Sequence, residues 1–187
     1  TIKDDWISLD EYLNKMQKDQ DEIYYFSNFD KDKIDLIKSP QLETFIEKEI
    51  PVIFMTDPVD DFWLPNIGKY KEKEFKSITK GKINLKDTSK NKQKIENKEI
   101  NDLINILKNE LNDEIKDVRI SERLTKSPLI LIADEQDIDI NMEKIMKMQN
   151  KSMQSNKKIL EINPNHNMIK KLSKSLTKLD HKKISRM

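Results

Sequence analysis

The sequence predicts a mixed α/β (α+β) protein of two small domains, and three observations carry that prediction. Stretches with apolar residues at helical spacing alternate with short β-prone runs through the first 80 positions. A polar stretch then interrupts the pattern. The alternation resumes near position 99 and continues towards the end. The expected organisation is a three-layer, sandwich-like first domain over 1–80 and a polar linker over 81–98. A second domain over 99–187 carries an amphipathic, Met-rich helix.

Ser8-Leu9-Asp10-Glu11 has the form of a capping box. Ser8 can accept from the amide three residues on, and Glu11 can reach back to the Ser8 amide. Leu9, Tyr12, Leu13 and Met16 follow at helical spacing. Glu22 to Phe26 is a short β-prone run. Ser39-Pro40 opens a second helix, with proline at the first helical position and Leu42, Phe45 and Ile46 as its stripe. Pro51 to Met55 is nearly all apolar, the mark of a strand covered on both faces. Asp57-Pro58 begins a third helix, with Asp60 and Asp61 in its first turn. Glu74 to Thr79 reads as a further strand.

Lys80 to Lys98 is rich in Lys, Asn, Asp and Gln, the composition of a connection rather than a core. Ile100, Leu103, Ile104, Leu107 and Leu111 then form a continuous helical face. Strands are expected at Lys116 to Ser121, Leu129 to Ala133 and Lys158 to Ile162. A helix from about Ile138 to Gln149 precedes the last strand. Asn163-Pro164 opens a final helix carrying Ile169, Leu172 and Leu176.

Composition limits the function. The net charge is +1, with basic and acidic residues interspersed, which argues against a nucleic-acid partner held by a basic patch. The absence of cysteine excludes a disulfide scaffold, a thiol nucleophile and a Cys-based zinc site. No apolar run approaches the roughly 20 residues that span a bilayer, so no membrane partner is expected. The two glycines, Gly68 and Gly81, cannot make a glycine-rich phosphate loop.

Several constellations invite a chemical reading. Asp57, Asp60 and Asp61 suggest either a metal or acid/base cluster, or the acidic first turn that a helix dipole favours. Position beside Pro58 favours the second. His166 and His181 are too far apart for a zinc pair without further ligands. Ser121 and Ser127 have no His and Asp at a recognisable spacing. Phe62, Trp63 and Ile67 follow the acidic helix start, and adjacent aromatics point about 100° apart on a helix. Ile138, Met142, Ile145 and Met146 form a single stripe, with Met148 well off it. Such a stripe serves either as core or as an adaptable binding surface.

Ordered motifs carry a family resemblance. Ser8 to Tyr12 with Ile23-Tyr24-Tyr25 resembles the SLDEY…IYY segment of heat-shock protein 90 chaperones. Phe54 to Asp61 resembles the family's FMTDPIDE, and Glu122 to Pro128 its NRLTxSP. Asn141 to Lys147 is similar to NMERIMK, and Leu160 to His166 to LEINPDH. The motifs occur in family order and cover nearly the whole chain. The compact linker and the lack of an acidic tail resemble the bacterial HtpG type.

The resemblance implies the late middle domain and most of the C-terminal domain of an ATP-driven, dimeric, cytoplasmic chaperone. It implies no enzyme activity here, because the family's ATP and Mg site belongs to an N-terminal domain. No cofactor is therefore expected in this fragment. It implies unfolded or partly folded client proteins as partners. The client-contact candidates are Phe62, Trp63 and Ile67, with Ile138, Met142, Ile145 and Met146 on the Met helix. The family's final dimer helices are expected to be missing beyond Lys178 to Lys183. The alternative is a structural and dimerising module with the Met helix buried.

Overall fold

The computed structural model describes residues 6–28, 33–83, 85, 98–149 and 154–175. It is a mixed α/β fold with two sheets, as the alternating patterns predict. In the first unit α1 (Leu9–Lys15) precedes β1 (Glu22–Ser27) and the short α2 (Lys33–Ile37). One 3-10 turn (Pro40–Leu42) leads into α3 (Glu43–Glu47) and β2 (Ile53–Met55). Then come α4 (Asp60–Ile67), β3 (Lys69–Tyr70) and β4 (Lys73–Ser77). The sheet order is β2-β1-β4-β3, with β1 parallel to both neighbours and β3 antiparallel to β4.

The predicted capping box is present. Glu11 N donates to Ser8 Oγ at 3.2 Å, and Ser8 N donates to the Glu11 carboxylate at 2.7 Å. Tyr12, one turn on, is fully buried. Its hydroxyl donates to Pro51 O at 2.8 Å and accepts from Tyr24 N and Gln20 Nε2, each at 3.0 Å. One phenol thus ties α1 to β1 and to the approach to β2. Burial pushes that phenol up to about 12, so it stays a neutral donor.

The first core contains Tyr24, Phe26, Leu36, Leu42, Phe45, Val52 and Ile78, with the Tyr24 and Phe45 rings edge to face at 5.0 Å. Ile83 and Leu85 belong to it as well. The stretch expected as linker from 81 therefore begins inside the first core. Residues 86–97 lie outside the described residues. Two further expectations change. β2 is an edge strand and only half-buried, because β1 holds the centre of the sheet. Ile46, placed on the apolar stripe of α3, is exposed because α3 ends at Glu47 and Leu42 and Phe45 alone reach the core.

In the second unit α5 (Lys98–Glu110) leads to β5 (Ile115–Ile120) and β6 (Leu129–Ile132). α6 (Ile140–Gln149), β7 (Lys158–Ile162) and α7 (Asn167–Ser175) follow. The order is β5-β7-β6, with β7 parallel to β5 and antiparallel to β6. Ile100, Leu103 and Leu107 of α5 and Ile169 of α7 pack on Val118, Leu160 and Ile162. Leu176 and His181 lie outside the described residues. His166 sits just before α7, and its Nδ1 accepts from Met168 N at 3.2 Å.

Strand alternation turns Ile159 and Glu161 to the opposite face of that sheet, which meets the first unit. A parallel bridge joins Lys80 to Ala133, with Gly81 N donating to Ala133 O at 2.9 Å. Gly81 has φ +64, and a Cβ there would overlap the Glu135 side chain. Arg123, only 1% exposed, fills the joint. Its Nε donates to Glu161 at 2.9 Å, and its Nη atoms reach Ile78 O and Gly81 O. Arg119 adds a second guanidinium to the same Glu161, at 2.9 Å.

Candidate functional site

The client-contact candidates fall on α4 and α6. α4 starts at Asp60, later than Asp57-Pro58 suggested, because the Asp57 carboxylate accepts from Val59 N at 3.0 Å within a preceding turn. The helix stops at Gly68, whose φ of +68 suits a C-terminal cap. The three aspartates then serve three different ends. Asp57 holds the turn, Asp60 accepts from Trp63 Nε1 at 2.9 Å, and Asp61 points inward. Among the described residues no group of three or more His, Asp or Glu is placed to hold a metal ion.

Phe62 is 45% exposed and Ile67 53% exposed, whereas Trp63 is half-buried, its ring T-shaped to Phe75 with centroids 6.5 Å apart. Val59, just before the helix, is exposed too. Of the adjacent aromatics, Phe62 therefore offers the open ring. Asp60 fixes Trp63 in its inward orientation.

α6 begins at Ile140, two residues later than its apolar pattern, because Asp139 caps it: Asn141 N donates to Asp139 Oδ1 at 3.1 Å. Ile138 lies just before the helix. The expected stripe divides. Ile145 is 7% exposed and so is not an open contact residue, which corrects its place among the candidates. Ile138, Met142 and Met146 are half-buried. Met148, off the stripe by spacing, is 64% exposed. Glu143 is buried between Lys158 and Lys147, and those cations outweigh its burial and hold its carboxyl below the usual range.

The two helices are joined at their N-terminal ends by polar groups that sequence reasoning missed. Ser27 Oγ donates to Asp61 Oδ1 at 2.7 Å, and Asn141 Nδ2 donates to Asp61 Oδ2 and to Ser27 Oγ. Burial raises the Asp61 carboxyl above its usual range against the pull of these hydrogen bonds. Beside this triad, Ser77 Oγ and Thr79 Oγ1 donate to Asp139. A cavity of about 250 Å3 opens here, between Phe26, Leu36, Ile130 and Ile140. No local pattern marks these residues, since each reads singly as a water-facing polar side chain or a helix cap. The arrangement is a pair of helices joined through buried polar groups, with apolar side chains left open.

Comparisons with known proteins identify the family. The Hsp90 protein family model matches residues 1–187. The chaperone protein HtpG of Roseobacter denitrificans is 41% identical over 179 residues, covering 92% of this chain and 28% of that protein. HtpG of Chlorobium phaeobacteroides is 36% identical over 188 residues, covering 100% of this chain and 30% of its own length. HtpG of Legionella pneumophila (strain Paris) is 39% identical over 169 residues. The chain spans under a third of the length of these relatives. The chain belongs to the Hsp90 family. Among the described residues no helix is long and apolar enough to cross a membrane.

Proposed function

We propose that this chain is the late-middle and C-terminal part of an HtpG-type chaperone and that it holds apolar surface of unfolded or partly folded client proteins. The observation that carries the proposal is the exposure of Phe62 and Ile67 on a helix whose start is hydrogen-bonded to α6. A single exposed apolar side chain is ordinary on a protein surface, and it is the grouping of Val59, Phe62 and Ile67 on and beside one short helix that supports a partner surface. Met148, with half-buried Met142 and Met146, adds polarisable side chains that adapt to varied partners. Contact would yield roughly 25 cal/mol per Å2 of apolar area buried. Each contact is weak, and a dimeric, cytoplasmic parent would add avidity. The segment itself would not hydrolyse ATP, which with Mg would act elsewhere in the parent protein.

The test is suppression of aggregation of an unfolding client by this chain, with and without Phe62→Ser and Ile67→Ser. Loss of suppression in folded variants supports the reading, and unchanged suppression removes α4 from it. A second reading, a purely structural joint, is favoured for α6 by the burial of Asn141, Glu143 and Ile145. Resistance of Met142 and Met146 to oxidation in the folded chain would assign α6 to that role alone.

A further inference from the structure

The loop from Thr125 to Ser127 turns three successive backbone N–H groups to one point. Thr125 N and Lys126 N donate to Glu43 Oε2 at 2.8 and 2.7 Å. Ser127 N lies 3.1 and 3.0 Å from the two carboxylate oxygens, and Ser127 Oγ donates to Oε1. Consecutive amides converging in this way make an anion-binding concavity, and charge-assisted hydrogen bonds are the strong ones. The carboxylate comes from α3 of the first unit, 84 positions before Ser127.

The concavity is shaped from behind by the second unit. Arg123 N and Leu124 N each donate to Ser121 Oγ at 3.2 Å. Asn163 N donates to Pro128 O at 2.8 Å, and Asn163 Nδ2 donates to Ser127 O at 3.1 Å. α3 has its own attachments beside Glu43: Thr44 N donates to Arg123 O and Thr44 Oγ1 to Glu122 O, each at 3.2 Å. Removal of Glu43 thus leaves both the loop and the joint with other supports. A site shaped in advance spends little on ordering itself around a ligand.

We infer that residues 125–127 form a carboxylate-binding site in its own right, with Glu43 as its tethered occupant. The ligand class is a small monocarboxylate. The first unit docks onto the second partly as a ligand enters a site.

The experiment is chemical rescue. Glu43→Ala vacates the site, and formate is titrated against chloride at constant ionic strength. The expected melting midpoint of Glu43→Ala lies about 2–4 °C below the parent chain. Formate restores it along a saturating curve, with a dissociation constant on the order of millimolar. In NMR spectra, formate shifts the Thr125, Lys126 and Ser127 amides of Glu43→Ala and leaves those of the parent chain in place. Adding Ser127→Ala weakens formate binding about five- to tenfold. A linear response equal to that of chloride, or equal amide shifts in the parent chain, overturns the inference. If Glu43→Ala does not fold, Glu43→Gln takes its place. Its three amides should move upfield together, and unmoved amides overturn the inference equally.

Discussion

Asn141 Nδ2 on α6 donates to the carboxylate of Asp61 on α4 across 80 positions of chain. Ser27, at the end of β1, donates to the same carboxylate. Three elements of the two units thus share one buried polar contact. Asn141→Ala leaves the Asp61 carboxylate buried with one donor fewer, which costs about 1–3 kcal/mol. Urea unfolding should report that loss, and the α6 amides should exchange faster with solvent. A stability change below measurement error would show that the contact does not fasten the helices.

Acid should loosen the joint through Glu43. Burial alone would raise its carboxyl, but donors from Ser127, Lys126 and Thr125 outweigh burial and hold it low. A depressed carboxyl contributes stability that is fully present above about 4.5, the free glutamate value, and is lost as pH falls through the lowered folded-state value. Asp61 has the opposite sign: its raised carboxyl makes ionisation a cost that grows as pH rises above 3.8. Melting curves of Glu43→Gln against pH should show a flatter acid limb than those of the parent chain. Coincident limbs would assign acid sensitivity to other carboxylates.

Arg123 should be costly to shorten. Arg123→Ala would strand Glu161, 2% exposed, with Arg119 as its remaining cation. Breaking a buried pair from one side costs about 3–5 kcal/mol. Arg123→Lys should recover little, because a single ammonium cannot reach Glu161, Ile78 O and Gly81 O together. Denaturant midpoints check both, and recovery by lysine to within the error would refute the geometric argument.

Function and stability should separate on α4. Phe62→Ser and Ile67→Ser alter exposed side chains, so unfolding free energy should stay within about 0.5 kcal/mol. Phe45→Ala, in the core, should cost about 3–5 kcal/mol. If the exposed pair proves as costly as Phe45, Phe62 and Ile67 are packing residues and the client reading fails.

Local chemistry made much of the fold legible. The Ser8–Glu11 capping box, Pro40 at a helix start, the Leu103/Leu107 face and the run from Lys158 to Ile162 all lie where their patterns place them. The misses have physical causes. The turn between β3 and β4 puts Lys71 and Glu72 at positive φ without the Gly or Asn that usually marks such a hairpin. An apolar run such as Ile53 to Met55 does not encode whether its strand is central or at the edge. For the site, the Phe62-Trp63 pair and the Met stripe were readable as apolar groups on helices, serving either as core or as binding surface. The burial of Ile145 and the Ser27–Asp61–Asn141 triad were not, because both arise from contact between distant segments.

That separation bears on how the molecule is made. A ribosome adds about 5–20 residues per second, so the 80 positions between Asp61 and Asn141 take roughly 4–16 s to synthesise. During that interval the first sheet can form while Ser27, Glu43 and Asp61 still face water. Their desolvation is deferred until α6 and the loop after Arg123 have emerged, so docking of the second unit is a late event in biosynthesis.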